Sequence, residues 1–340
     1  MIEGDDDAAD AADDVLDGLI HRADLDGLVR LVDARTASRD WAGLSRARDR
    51  ARHAIGTGRQ LWPVATLAEY RLALRAPVEW AAPTIADGAG LFTIGPLTEV
   101  IAQEHSWQEL ADVLAPGPAA GVIAHERVLR GEPVDAATVG RFPAIEMPYQ
   151  LAAWEPAYLL ATYRDDGVEA PAPPVPTTPG PARVAPAGTA ERLRDDVCEL
   201  AVRQLVEPWT AESNGRAEVA SVVGSVDDAV SALGVGSRRT GEISLTEALS
   251  WLAWAGASGG AHGRRRGAAL GRFGALWTLA ALLDLVDDWP LPLDELGDIA
   301  ADLRWHWWDA GEPFTGWRLQ LAVEDRVEGL AWAISARDDV

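Results

Sequence analysis

Pro171-Ala-Pro-Pro-Val-Pro-Thr-Thr-Pro-Gly-Pro-Ala-Arg-Val-Ala-Pro-Ala-Gly188 is the stretch on which the organisation of this chain turns. Proline fixes φ and lacks an amide donor, so neither a helix nor an inner strand runs through such a segment. It reads as a semi-rigid, extended spacer. With its flanks, a proline-rich linker over 168–189 separates a helical domain over 15–167 from an α+β domain over 190–340. Residues 1–14 precede them as an acidic tail, whose Asp5-Asp-Asp-Ala-Ala-Asp-Ala-Ala-Asp-Asp14 suits solvent or the first turn of a helix.

Upstream of the spacer the apolar residues recur with the helical period. Val15, Leu16, Leu19 and Ile20 form one stripe, and Leu25, Leu28, Val29, Leu31 and Val32 form the next. Longer helices are predicted over 40–55 and 60–74, the latter with Pro63 in its first turn. Shorter ones fit 78–86, 97–105, 107–114 and 119–129, and Ser106 with Glu109 has the pattern of a capping box. Short Gly/Pro joints between such helices predict a bundle or an irregular α-solenoid.

Downstream, helices are predicted over 190–206 and 276–286, and capping patterns at Ser225 and Ser244 start two more. Residues 217–223 are rich in valine and read as a strand. At the end, 303–308, 317–323 and 330–336 read as strands of a three-stranded antiparallel meander. Trp317, Leu319, Leu321 and Val323 alternate with Arg318, Gln320 and Ala322, the period of a half-buried strand. The fold class expected is mainly α: a helical N-terminal part, plus a C-terminal α+β domain closing in a tryptophan-rich meander.

Charge narrows the function classes. The 340 residues carry a formal charge of −23, which opposes binding to nucleic acid and to anionic membranes. All 30 basic residues are arginine, so chemistry that needs a lysine Schiff base is excluded. An acidic start and one cysteine, Cys198, point to the cytoplasm. The six histidines never form a close pair, so no metal and no cofactor is expected.

Two constellations stand out. In Gly256-Ala-Ser-Gly-Gly-Ala-His-Gly-Arg-Arg-Arg-Gly-Ala-Ala-Leu-Gly-Arg-Phe-Gly274, glycine amides with His262, Arg264, Arg265, Arg266, Arg272 and Ser258 are candidate binders of an anion. The competing reading is structural, and it is the favoured one. On a helix, Gly263, Gly267 and Gly271 form a flat strip for a neighbouring helix, while nearby carboxylates neutralise the arginines. Ser258 also has the letters of a nucleophile elbow, but in a helical rather than a strand-to-helix context. The second constellation is an aromatic cluster of Trp305, His306, Trp308, Asp309 and Trp317. It reads either as a ligand platform or, more simply, as core against the helix over 276–286. No catalytic set is complete, and whether the chain is an enzyme stays open.

The Gly/Arg run from Trp254, the stretches Thr315-Gly-Trp-Arg-Leu-Gln-Leu-Ala-Val-Glu-Asp325 and Gly329-Leu-Ala-Trp-Ala-Ile-Ser-Ala336, and Gln60-Leu-Trp-Pro-Val-Ala65 with Ala68-Glu-Tyr-Arg-Leu-Ala-Leu74 resemble a family of actinobacterial proteins of unknown function. The resemblance covers most of the chain and carries over no catalytic residue. The sequence therefore specifies no activity. The best reading is a protein-interaction or regulatory protein with a helical scaffold. The alternative is a ligand- or anion-binding domain, or an enzyme, using 256–274.

Overall fold

A computed structural model describes residues 4–86, 88–139, 145–174, 182–184, 190–313 and 315–339. The chain forms two compact units. One comprises residues 1–127, 138–142 and 162–169, the other 128–137, 143–161 and 170–340.

The first unit begins with α1 (Gly4–Arg22), α2 (Leu25–Ser38), α3 (Trp41–Gly56) and α4 (Trp62–Arg75). Asp24 and Asp40 cap α2 and α3 by accepting from the amides of Gly27 and Gly43. The apolar stripes of the four helices meet in one core that contains Leu16, Leu28, Val32, Leu44, Ala47, Val64 and Leu72. The acidic tract 5–14 belongs to α1. Next in chain order come α5 (Val78–Ala81), a 3-10 turn (Ala82–Thr84), α6 (Leu97–Glu104), α7 (Trp107–Leu110), α8 (Pro118–Leu129) and α9 (Ala136–Val139), of which residues 128–129 and 136–137 are counted with the second unit. The capping box at Ser106 is formed. A small hairpin follows, of β1 (Thr162–Arg164) and β2 (Gly167–Glu169), which the residue pattern did not announce. The Tyr163 hydroxyl donates to buried Glu99 at 2.6 Å, and the Tyr70 hydroxyl to the Arg164 carbonyl at 2.6 Å.

The second unit is built on a seven-stranded antiparallel sheet. Its elements in chain order are β3 (Ala182–Val184), β4 (Arg192–Leu193), α10 (Asp196–Leu205), α11 (Glu207–Ala211), β5 (Arg216–Val223), α12 (Val226–Ala232) and β6 (Ser237–Ile243). They continue with α13 (Leu245–Ala257), α14 (Ala268–Leu282), α15 (Leu293–Ala300), β7 (Leu303–Asp309), β8 (Trp317–Asp325) and β9 (Leu330–Asp338). The strand order is β3-β6-β7-β8-β9-β5-β4. The expected three-strand meander is thus the centre of a larger sheet.

Several expectations are corrected here. Residues 192–193 pair with β5 instead of starting a helix, so that helix begins at Asp196. Residues 237–243 form an unforeseen strand against β7. The apolar helix placed at 276–286 runs from Ala268 to Leu282. Within the proline-rich stretch, residues 182–184 pair with β6 at the sheet edge, where a strand can border prolines; residues 175–181 and 185–189 lie outside the described residues.

Side chains alternate across the sheet. Trp308, Ala322, Ala331, Ala333 and Val222 face α12 and share a core with its Val226, Ala229 and Val230. Trp305, Trp307, Leu321, Val323 and Ile334 fill the other face, and α13 packs against β7 and β8.

Candidate functional site

The Gly/Arg run is not one helix. Ser258 is the C-cap of α13, residues 258–267 form a loop, and Gly267 is the N-cap of α14 at φ 100°. The expected strip of Gly263, Gly267 and Gly271 therefore does not exist. Only Gly271 lies in a helix, because the positive φ at Gly267 stops the helical backbone from reaching back to Gly263. Close helix approach is present all the same. A Cβ on Gly271 would stand 2.3 Å from the Ala253 carbonyl oxygen, and one on Gly256 would stand 3.2 Å from the Gly271 Cα.

The loop's donors already hold carboxylates of the chain itself. The Ala261 amide donates to Asp338 at 2.6 Å and the Arg264 amide to Glu212 at 2.8 Å. Arg264 is exposed and pairs with Glu212 at 3.3 Å. These donors hold the Glu212 carboxyl below its ordinary range, the Arg264 amide first among them. The guanidinium of Arg266 donates to the Gln204 carbonyl at 2.9 Å, and Arg265 also has partners within the protein. Arg272 is fully buried, with Glu155 at 2.7 and 2.8 Å and the Gln150 carbonyl at 2.7 Å. Ser258 is buried too: its hydroxyl accepts from Trp209 Nε1 at 3.0 Å and donates to the Ala255 carbonyl at 3.2 Å. His262 is exposed. These six residues do not converge on one cavity.

The aromatic cluster lies mostly inside. Trp305 and Trp308 are almost wholly covered, Trp317 and Asp309 are half-buried, and Asp309 pairs with Arg239. The helix packed on β7 is α13, not the one at 268–282 as expected. His306 is half-buried. Burial lowers the basicity of its ring, against the opposing charges of Glu242, Glu324 and Asp227. Among the described residues no group of three or more His, Cys, Asp or Glu side chains is arranged to hold a metal ion. Cys198 is buried, its thiol donates to the Ala281 carbonyl, and burial pushes its pKa far up, so it is no nucleophile.

What sequence reasoning missed is on the α12 face of the sheet, past the end of that helix. Strand register sets Arg216 of β5 opposite Arg337 of β9, and Arg337 opposite Arg318 of β8. Three arginines thus stand side by side across three adjacent strands. The next row along the strands is Glu218, Ser335 and Gln320. Together they line a recess of about 140 Å³ whose other walls are Trp308, Leu233, Val235, Ala310 and Glu312. Like charges directly opposite one another destabilise a sheet unless something neutralises them. One carboxylate, Glu312, stands 3.7 Å from Arg318 and 3.6 Å from Arg337. Arg216 is exposed and makes no ion pair among the described residues. Arg318 is nearly buried, so its charge acts across a partly dried surface. A signal existed in the sequence, since Arg318 and Gln320 alternate with apolar residues. The register that adds Arg216 and Arg337 had none.

Among curated proteins and among solved structures, nothing matches this chain. A family model does match, over residues 26–339, nearly the whole chain. The chain therefore belongs to DUF6183, a family of unknown function.

Proposed function

We propose that this protein binds a small anionic ligand, a carboxylate or a phosphate, in the recess between Arg216, Arg318 and Arg337. The observation that carries the reading is the cross-strand row of three arginines, two of which share the Glu312 carboxylate, at a recess in a chain with 53 acidic residues. A fold with so many carboxylates has ample means to neutralise a basic cluster, as it does around Arg264 and Arg272. Here Glu312 is shared by two arginines, at ion-pair distances too long for hydrogen bonds. It occupies the place of the ligand's anionic group, between two guanidinium forks.

Calorimetry with inorganic phosphate and with isobutyrate tests this. Arg337→Ala weakens binding by about tenfold or more, the size of a lost charged hydrogen bond. Glu312→Gln removes the internal competitor and tightens binding. Equal affinity in wild type, Arg337→Ala and Glu312→Gln would sink the reading.

A second reading, docking of a protein partner, draws on the first unit. Trp62 and Phe92 are exposed, with ring centroids 4.7 Å apart, and line a groove with Val29, Leu67 and Ile94. Isolated apolar residues on a surface need no explanation, but a contiguous aromatic patch marks contact. Its test is a crosslinked partner lost on Phe92→Glu and kept on Arg337→Ala. Neither reading needs nucleic acid or membrane, which the charge opposes. A cytoplasmic, actinobacterial setting fits the buried free thiol and the arginine-only basic set. No helix among the described residues is long and apolar enough to cross a membrane.

A further inference from the structure

We infer that the ligand of the arginine recess is a zwitterion of the α-amino acid class, with an aliphatic side chain no larger than that of valine or leucine. The inference rests on the anion-binding reading above and adds the ligand's other two parts. The first is its cation. Glu218 sits two residues after Arg216 on the same face of β5, opposite Ser335. It is exposed and makes no ion pair among the described residues. Two residues of strand rise place the two rows about 7 Å apart. That separation suits a carboxylate held by the arginines and, one carbon away, an ammonium that donates to Glu218 with Ser335 and Gln320 beside it. A plain dianion such as phosphate would meet the Glu218 charge as repulsion; an amino acid uses it.

The second part is the side chain. Leu233, Val235, Ala310 and Trp308 make one wall of the recess apolar. Its volume, about 140 Å³, is close to that of a cavity able to take one benzene ring. The ligand's carboxylate and ammonium take up part of that space, so a branched aliphatic group fits what remains and an aromatic ring overfills it.

The experiment is calorimetry with L-valine, with isovalerate, which is valine without its ammonium, and with isobutylamine, which is valine without its carboxylate; inorganic phosphate is a fourth probe. Wild type is expected to bind L-valine at least about tenfold more tightly than isovalerate, the scale of a charged hydrogen bond. It should bind isobutylamine least. Glu218→Gln, at an exposed position, brings L-valine down to the level of isovalerate. Isovalerate itself stays unchanged or tightens slightly, because a repulsive charge has gone. If isovalerate or phosphate binds wild type as well as L-valine does, the zwitterion is wrong and the anion site stands. The zwitterion is equally wrong if Glu218→Gln weakens L-valine and isovalerate alike. If none of the four binds, both readings fall.

Discussion

Arg272 shows how the protein treats a charge it has taken out of water. Its guanidinium and the Glu155 carboxylate are both wholly buried, and the fork geometry satisfies both carboxylate oxygens. Glu155 also accepts from the Tyr158 hydroxyl at 2.6 Å and from the Ala152 amide at 2.8 Å. Burial, then the Glu155 charge, raises the Tyr158 phenol well above its ordinary value, so it remains a donor. Through these bonds α14 holds the segment around residues 148–158. Removing one partner strands the other in the interior, which costs more than the pair contributes. Arg272→Met is expected to lose about 3–5 kcal/mol in urea unfolding, while the double variant with Glu155→Leu recovers part of it. Arg264 differs: its pair with Glu212 is exposed, and such pairs contribute little.

Helix contact is the matter at the element scale. α13 and α14 touch where both lack side chains, at Gly256 and Gly271, and Leu205 of α10 fills the space beside Gly256 and Gly274. An added Cβ at Gly271 meets the backbone of Ala253, which cannot rotate away as a flexible side chain can. Gly271→Leu should therefore separate the helices and destabilise the protein by about 1–3 kcal/mol, read by thermal or denaturant unfolding. Strand β6 carries the opposite lesson. Ser237-Arg-Arg-Thr-Gly-Glu-Ile243 has glycine and three charges and little intrinsic preference for a strand. It is a strand because its residues from Arg239 to Ile243 pair with Asp309 to Trp305 of β7. Local preference was silent there, and the partner decided.

Across the whole molecule, charge outweighs any single contact. With −23 on 340 residues, self-repulsion opposes the compact state at low salt. Raising NaCl from about 0.01 M to 0.15 M shortens the Debye length from about 30 Å to about 8 Å. The melting temperature is expected to rise over that range, by an order of a few degrees in a scanning-fluorimetry series. A flat or falling series would mean that local ion pairs outweigh the overall repulsion. Against that background the basic row on the sheet is a local exception, surrounded by a field of the opposite sign.

Much of the element pattern was legible in the residues alone. The boxes at Ser106, Ser225 and Ser244 stand where the spacing of serine and carboxylate puts them, because a cap is a contact between near neighbours in the chain. The alternation in 317–323 marked β8 for the same reason: a pleat is local. Which arginines are buried on a carboxylate and which stand in a row across the sheet was not legible. Arg272 was a candidate anion binder and is buried on Glu155; Arg216 and Arg337 drew no attention and share a row with Arg318. That outcome depends on strand order and register between segments far apart in the chain. Those follow from the packing of the whole sheet rather than from any stretch of it.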